Sequence, residues 1–294
     1  MNLLITGASS TLGKNLTSEL LKTDKFSIRL LEYHSPVSNE NCEVFKGDLQ
    51  DIDNLVNACT GVDIVIHLAA LTHSSSSKDY FNVNVAGTEN LLAACQKKNV
   101  RRFIFISSSA ASEQGGKYGV SKLRGEERVQ NSPLDWVILR PSEIYGLNME
   151  EGIGKLIYWI KKFPVIPVIG DGAYYLSPVY VDDIVHVMVE IIKDDLLIRE
   201  TLNLCGPEKM TMNELIDRLA QIYRVQRKKI FLPTWFVRLV VAFISIIKPG
   251  VVFSDQIPRL LCDKDRTINK TQAVISYNPR KIEEGILAFQ TKKT

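Results

Sequence analysis

Short apolar runs alternate with segments of helical spacing through the first half of the chain, and no other feature constrains the fold as strongly. Such runs are typical of parallel strands buried on both faces, and parallel strands need crossovers that are usually helical. The pattern predicts strands at 2–6, 28–31, 44–45, 63–70, 103–106 and 136–139, and helices at 12–21, 55–59, 85–95 and 119–130. We therefore expect an α/β fold built on a doubly wound parallel sheet.

The alternation loosens after about residue 150, where prolines become frequent. A chain of 294 residues is long enough for one large domain or two modest ones. We expect a sheet domain over 1–150 and a smaller lobe of mixed structure over 151–294. Within that lobe, 178–205 is expected to return a strand and a helix to the main sheet.

The composition argues against several classes of protein. A formal net charge of +3 without an arginine-rich tract gives no reason to expect nucleic-acid binding. The cysteines are scattered without CxxC pairs and the histidines show no ligand spacing, so neither a disulfide framework nor a metal site is predicted. These cysteines are Cys42, Cys59, Cys95, Cys205 and Cys262. The first apolar run stops at Thr6–Gly7, far short of a secretion signal, so a cytoplasmic location is expected.

One stretch, 235–247, is apolar enough to raise the question of membrane contact. It reads WFVRLVVAFISII and contains Arg238, whereas a membrane-spanning helix needs roughly 20 apolar residues. We expect a buried helix of the second lobe. A helix at a membrane surface or at a subunit contact is the alternative.

A glycine-rich turn, TGASSTLG, joins the first predicted strand to the first predicted helix. Its first glycine suits a tight turn, its last suits close packing of helix on strand, and the backbone N–H groups between them would face a pyrophosphate. The middle glycine of the usual fingerprint is absent, and the Ser10 hydroxyl could bond a phosphate in its place. The turn predicts a Rossmann-type dinucleotide site with contacts from Gly7, Ser9, Ser10, Thr11, Leu12 and Gly13.

Glu32 stands at the end of the second predicted strand. A carboxylate there can accept hydrogen bonds from both hydroxyls of the adenosine ribose and would repel a 2′-phosphate. Glu32 therefore predicts NAD rather than NADP. The alternative is a solvated glutamate in a loop.

A tyrosine and a lysine four residues apart begin the helix predicted at 119–130, in the sequence KYGVSK. This spacing places Tyr118 and Lys122 on one face, where an ammonium beside a phenol favours the phenolate. Tyr118 could then exchange a proton with a substrate hydroxyl while hydride moves to or from nicotinamide. Ser108, at the end of the preceding strand, could bond the same substrate oxygen. We expect Ser108, Tyr118 and Lys122 to be catalytic.

The motifs together resemble the extended short-chain dehydrogenase/reductase family, the NAD-dependent epimerase/dehydratase group. The resemblance runs along nearly the whole chain, through TGASSTLG, GDLQD, DIVIHLAA, NVNVAGTENLL, FIFISSS, YGVSK, LRPSEIYG, PVYVDDIV and NPRKIEEGI. It implies that Asp48 and Leu49 contact adenine, that His67–Ala70 line the cofactor groove, and that Asn84 lies below the active site. It also implies cofactor contacts from Leu68, Ala69, Ala70, Ser107, Tyr118, Lys122 and Pro141, and substrate contacts from Thr72 and Ser109.

Two positions depart from the nucleotide-sugar members that the chain resembles. Glu143 occupies a place where those members commonly have asparagine, and Leu176 a place where they often have an arginine that clamps the substrate diphosphate. A gained carboxylate and a lost guanidinium both disfavour a diphosphate at these substrate positions. The cations that could substitute are Lys155, Lys161, Lys162 and Arg259.

Three functions remain open at this point. A 4-epimerase or 4-keto reductase of a nucleotide sugar is the first, with NAD or, as second choice, NADP. A dehydrogenase or reductase of an apolar alcohol or ketone is favoured by Leu176 and by 235–247. A catalytically silent cofactor-binding relative in a larger assembly is disfavoured by the intact Ser108, Tyr118 and Lys122. The resemblance further implies a homodimer.

Overall fold

The computed structural model describes residues 1–37, 39–147, 151–194, 197–247 and 255–291. The strands are β1 Asn2–Thr6, β2 Ser27–Glu32, β3 Glu43–Lys46, β4 Ile64–His67, β5 Arg102–Ile106, β6 Asp135–Pro141, β7 Ile144–Tyr145, β8 Val165–Ile169, β9 Tyr175–Leu176, β10 Val179–Tyr180, β11 Glu200–Leu204, β12 Met210–Thr211 and β13 Lys228–Leu232. The helices are α1 Thr11–Leu20, α2 Ile52–Ala58, α3 Ser77–Phe81, α4 Gly87–Lys97, α5 Gly116–Gln130, α6 Ile153–Lys162, α7 Val181–Lys193, α8 Met212–Ile222, α9 Thr234–Ile247, α10 Gln256–Leu261, α11 Asn269–Val274 and α12 Ile282–Thr291.

A seven-stranded sheet forms the centre of the molecule, in the order β11-β6-β5-β4-β1-β2-β3. Every neighbouring pair in this sheet runs parallel. Helices cover both faces, which confirms the predicted doubly wound Rossmann-type α/β fold. The strand order reverses direction between β1 and β4, and the crevice outside the carboxyl ends of such strands is where ligands bind in open α/β sheets.

Alternating side chains of β1 show how the sheet divides the core into two layers. Leu3 and Ile5 belong to a large apolar cluster on one face, together with Leu16 of α1. Leu4 points to the other face, where it joins Leu55 of α2. Because successive side chains of a strand point to opposite faces, continuous apolar runs such as NLLIT serve both layers.

The structure corrects two predicted elements of the first half. β4 ends at His67 rather than at residue 70, so the three residues after it form a loop at the carboxyl edge of the sheet. The helix predicted at 85–95 begins earlier, because α3 continues through a π-helical turn at Asn82–Ala86 into α4. π-Helical turns within helices are frequent at functional sites.

The strand that returns from the second half to the sheet is β11, which pairs with β6 from Glu200↔Val137 to Leu204↔Pro141. β10, which begins next to Pro178, pairs instead with β7 in a small separate sheet. α7 between them packs against α1. One apolar cluster continues from the sheet into the C-terminal part through Ile166 and Leu215, and a domain boundary at residue 150 stays a prediction.

The buried helix expected at 235–247 is the clearest error. α9 spans this stretch, but Trp235 is 64% exposed, Leu239 61% and Phe243 65%. Its attachment includes the buried Val241. Among the helices in the described ranges, none has the length and apolar character to cross a bilayer.

Candidate functional site

The turn after β1, where we predict dinucleotide contacts, packs closely against the loop after β4 and the start of α1. Gly7 has φ +69°, and a Cβ on it would lie 2.6 Å from the backbone nitrogen of Ala69. A Cβ on Gly13 would lie 2.6 Å from the carbonyl oxygen of Gly7. Both positions therefore need glycine, because the loops after β1 and β4 and the start of α1 approach one another at backbone distance.

Ser10 caps α1 in place of the missing middle glycine. Its Oγ accepts a hydrogen bond from the backbone N–H of Gly13 at 3.0 Å. The hydroxyl keeps its own proton, so it can still donate to an anion at the positive end of the helix. Ser9, Thr11 and Leu12 complete the predicted contact segment at the start of α1.

A buried hydroxyl supports the fit of this cleft to a dinucleotide. Ser107, directly after β5, is 4% exposed, and its Oγ has no hydrogen-bond partner among the residues that the structure describes. A buried hydroxyl without a partner is costly, so a bound ligand that satisfied it would be stabilised there. Leu68, Ala69 and Ala70, in the loop after β4, are partly exposed at the same edge of the sheet.

The predicted adenosine end of the cleft lies beyond β2. One carboxylate oxygen of Glu32 accepts a hydrogen bond from the backbone N–H of Val37 at 2.8 Å, which holds the loop after β2. Asp48 bonds the backbone N–H of Gln50 at 3.0 Å. Tyr33, next to Glu32, is exposed beside Asp48. Leu49 is buried. The ribose and adenine contacts stay predictions.

His67 does not line the groove, contrary to what the resemblance implies. Its ring is fully buried and bonds the hydroxyls of Thr6 at 2.7 Å and Thr88 at 3.1 Å. Burial, with a smaller contribution from the charge of Lys122, lowers the pKa of His67 to about 3. The imidazole is therefore neutral at physiological pH and ties β1, β4 and α4 together.

Asn84 connects the loop after β4 to α5. Its side-chain oxygen accepts from the N–H of Leu71 at 2.8 Å, and its amide donates to Leu71 O at 3.0 Å and to Ser121 Oγ at 2.9 Å. Ser121 in turn donates to the carbonyl of Tyr118. Asn84, in the π-helical turn, thus positions α5 from below.

Tyr118 and Lys122 lie one turn apart on α5, and both are buried. Lys122 Nζ donates to the carbonyl of Ile106 at 2.7 Å, and Ile106 is the last residue of β5. This bond holds the Tyr118 face of α5 against the strand end that carries Ser108. Ser108 Oγ accepts from the N–H of Ala110 at 3.1 Å. The structure therefore brings the three predicted catalytic residues to one edge of the sheet.

The environment of Lys122 lowers the pKa of its amine. Its ammonium lies 4.2 Å from the centre of the Phe105 ring. Burial is the main reason that its pKa falls to about 7; Glu126 opposes this fall, and the charge of Arg259 adds to it. Glu126 is itself buried and ion-paired with Arg140 of β6. The pKa of Lys122 therefore lies near neutrality, where this amine can change its charge.

Two site residues that the motif analysis did not assign to catalysis come from the segment after α9. Both carboxylate oxygens of Asp255 accept backbone N–H groups at the start of α5, from Lys117 and, at 3.1 Å, from Tyr118. The guanidinium of Arg259 stacks over the Tyr118 ring, 4.1 Å from its centre. No local motif marks these residues, because tertiary packing of α10 on α5 brings them to the site.

The structure changes the interpretation of Glu143. Its carboxylate is partly buried, forms an ion pair with the buried Lys264 at 2.7 Å and accepts the N–H of Ser177 at 3.0 Å. Despite burial, which acts in the opposite direction, Lys264 and these hydrogen bonds lower the pKa of Glu143. The expectation that Glu143 disfavours a diphosphate is therefore weakened, because Lys264 neutralises its charge.

The other predicted substrate positions differ in accessibility. Leu176 is 1% exposed and packs in the main apolar cluster, so its side chain presents no surface to a ligand in this structure. Thr72 is exposed beside His73. The backbone N–H of Ser109 donates to the carbonyl of Pro141 at 2.9 Å, which joins the ends of β5 and β6. Within the described ranges, no cluster of three or more metal-ligating side chains is present.

Known proteins agree with this architecture. A sequence model of the NAD dependent epimerase/dehydratase family matches residues 3–205. The chain is 27% identical over 260 residues to an uncharacterized UDP-glucose epimerase of Bacillus subtilis, covering 76% of this chain and 82% of that protein. It is 29% identical over 256 residues to the N-acetyl-alpha-D-glucosaminyl-diphospho-ditrans,octacis-undecaprenol 4-epimerase of Escherichia coli O157:H7, covering 79% and 75%.

A solved structure shows the same fold. The UDP-glucuronic acid 4-epimerase from Bacillus cereus, in complex with UDP-glucuronic acid and NAD, superposes with a TM-score of 0.78. The comparison covers 98% of each chain at 23% identity. The predicted family resemblance and the predicted fold class are both confirmed.

Proposed function

Because this chain belongs to the NAD-dependent epimerase/dehydratase family, whose members are enzymes of the extended short-chain dehydrogenase/reductase type, we propose that it is a 4-epimerase of a nucleotide sugar. One observation carries the proposal: the Lys122–Ile106 bond holds Tyr118 beside the strand end that bears Ser108. A phenol, an ammonium and a hydroxyl converging at the end of β5 suit proton exchange with a sugar hydroxyl.

The residues that would hold NAD are those of the glycine-rich turn, the loop after β4, Glu32, Ser107 and Lys122. When bound, NAD would accept a hydride from the sugar carbon and return it to the opposite face. Tyr118, as the phenolate, would take the proton of the sugar hydroxyl at its phenolic oxygen and, as the phenol, give it back to the carbonyl oxygen. Ser108 would donate a hydrogen bond to that same oxygen, and the ammonium form of Lys122 would stabilise the phenolate of Tyr118.

Arg259 is the cation best placed to bind a substrate diphosphate. Of the four candidates, it is the one that contacts Tyr118. Lys155 and Lys161 lie over the rings of Trp159 and Tyr223, and Lys162 is exposed at the end of α6. A guanidinium offers a bidentate fork to phosphate oxygens, which supports a diphosphate substrate despite the apolar residue at position 176.

A second candidate is an epimerase acting on a sugar diphosphate carried by a polyprenol. The exposed apolar face of α9 favours it, and the Escherichia coli relative is named for such a substrate. Both candidates present the same sugar and diphosphate to Tyr118 and Arg259. They differ in whether a nucleoside or a lipid follows the second phosphate.

The test incubates the purified protein with UDP-glucose, UDP-N-acetylglucosamine and polyprenyl-diphosphate-linked N-acetylglucosamine, and resolves the epimers by chromatography. We expect conversion of a nucleotide sugar, with Arg259→Met raising KM about tenfold or more and Lys155→Met leaving it unchanged. Conversion of the lipid-linked sugar alone would favour the second candidate. Conversion of none of the three would contradict both.

A further inference from the structure

The outward face of α9 is an exposed apolar surface. Trp235, Leu239 and Phe243 follow one another at intervals of four residues and therefore align along one side of the helix. Ile247 continues this line, and Phe236 and Val240 lie beside it and widen the face. We call the six residues the α9 face. A contiguous exposed surface of this kind marks an interaction site more often than a chance exposure.

The strand that leads into α9, β13, also carries exposed apolar side chains. Ile230 and Phe231 are each about half exposed there. β13 pairs with β8 in a two-stranded sheet, and neighbouring side chains of a strand point to opposite faces, so these two residues lie on opposite sides of that sheet. Exposed apolar residues thus occur on both elements, with the α9 face as the larger set.

Positive charge accompanies this surface. From residue 224 to 247 the chain contains Arg224, Arg227, Lys228, Lys229 and Arg238 but no aspartate or glutamate. The guanidinium of Arg227 donates to the carbonyl of Lys161, which brings the basic end of α6 to the start of β13. Lys229 is paired with Asp217 at 2.7 Å, whereas within the described residues Lys162, Lys228 and Arg238 form no ion pair.

We propose that the α9 face docks on the surface of an anionic lipid bilayer. Trp, Phe and Leu side chains can enter the boundary between headgroups and acyl chains, while the flanking lysines and arginines meet anionic headgroups. A second copy of the chain fits this surface less well. In a two-fold contact this surface would have to complement itself, and residues 224–247 contain no aspartate or glutamate to pair with the partner's cations.

The docking surface is linked to the site through a short stretch of chain. Eight peptide units separate Ile247 from Asp255, so their Cα atoms lie at most about 30 Å apart. Asp255 and Arg259 contact the start of α5. The proposal goes beyond the reaction itself, because it assigns a membrane partner whichever sugar diphosphate is the substrate.

The test measures sedimentation of the full chain with vesicles of phosphatidylglycerol and phosphatidylethanolamine, and with vesicles of phosphatidylcholine alone. We expect stronger binding to the anionic vesicles. Leu239→Ser should weaken it about tenfold or more, since the apolar side chain that would enter the bilayer is lost. Arg238→Gln should weaken it by up to about fivefold on anionic vesicles and leave the neutral ones unaffected.

Leu287→Ser is the matched control, because Leu287 on α12 is 63% exposed against 61% for Leu239. It should leave vesicle binding unchanged. Wild-type protein that stays in the supernatant with anionic vesicles would overturn the proposal, as would equal losses in both leucine variants. A dimer that Leu239→Ser converts to monomer in analytical ultracentrifugation, without vesicle binding by the wild type, would assign the face to a second copy. None of these outcomes depends on whether a sugar substrate has been found.

Discussion

Helices α5 and α9 invert the usual relation between side-chain polarity and burial. α5 is rich in charged residues, yet Tyr118, Lys122 and Glu126 are all buried on it. α9 consists almost entirely of apolar residues, yet most of its side chains face outward. Burying an amine costs free energy, and so does exposing tryptophan and phenylalanine to water.

Buried polar groups on α5 and exposed apolar groups on α9 are both features that selection for stability alone would not favour. Each polar group on the buried face of α5 has specific partners: Ile106 O for Lys122, Arg140 for Glu126 and Asp255 for the first turn. The outward side chains of α9 have no comparable set of partners among the described residues. We therefore infer that the polar groups on the buried face of α5 find their partners within the molecule. The apolar face of α9 would find its partner on another surface.

The largest expected effect concerns the phenol on α5. Tyr118→Phe removes the proposed proton acceptor and should lower kcat about 10²–10⁴-fold, since that is the usual contribution of a general acid–base group. Dinucleotide binding should change little, because the ring and its contacts with Arg259 and Tyr80 remain. Steady-state kinetics and a thermal-shift titration with NAD measure the two effects. Full turnover in this variant would remove Tyr118 from the mechanism.

The second-largest effect is expected for the buried amine of Lys122. The pKa of Lys122 is about 7 in the folded protein against an ordinary 10.5, so between these values the unfolded chain holds the extra proton. Raising the pH through this window removes that proton and should increase the free energy of unfolding. Lys122→Met should lack this increase. At pH 7 it should be more stable than the wild type by about 1–3 kcal/mol, after allowance for the lost bond to Ile106.

Chemical denaturation from pH 6 to pH 10, without and with NAD, measures this difference. Lys117→Met is the matched control, because Lys117 lies on the same helix and is exposed. Its stability should follow that of the wild type at every pH. A Lys122→Met variant that is less stable at pH 7, and that keeps the wild-type pH dependence, would show that the amine is not buried at a cost.

The smallest effect is expected on α9. Phe243→Ser should change the free energy of unfolding by no more than about 0.5 kcal/mol, because the ring is 65% exposed. The same change at Phe103, which is fully buried in β5, should cost about 3–5 kcal/mol. Thermal and urea unfolding of both variants tests the contrast. A large loss in Phe243→Ser would mean that the α9 face is covered within the folded monomer.

Local pattern predicted the sheet and helix α5 well. The runs NLLIT and FIFIS, together with the Tyr118–Lys122 spacing, each describe neighbours within a few residues, and those neighbours set strand or helix geometry directly. The need for glycine at Gly7 and Gly13 is equally predictable from the sequence, because few backbone conformations can join β1 to α1.

Contacts between segments that are distant in the sequence cannot be predicted from the local pattern. Lys264 neutralises Glu143 across 121 residues, and Asp255 caps α5 across 137. The exposure of α9 was also missed, because an apolar helix of this length is compatible with a core, an interface or a bilayer surface. His67 was placed in the groove by resemblance, whereas its bonds to Thr6 and Thr88 turn the ring into the core.

The carboxylate of Asp255 at the first turn of α5 has a consequence for how this chain can diversify. The polypeptide segment that stacks Arg259 on the Tyr118 ring is the same one that supplies the end cap of the helix carrying that ring. Exchanging C-terminal segments with a relative would therefore alter the stacking on Tyr118 and the position of its helix in one event. Under the proposed function, substrate preference and turnover would then change together.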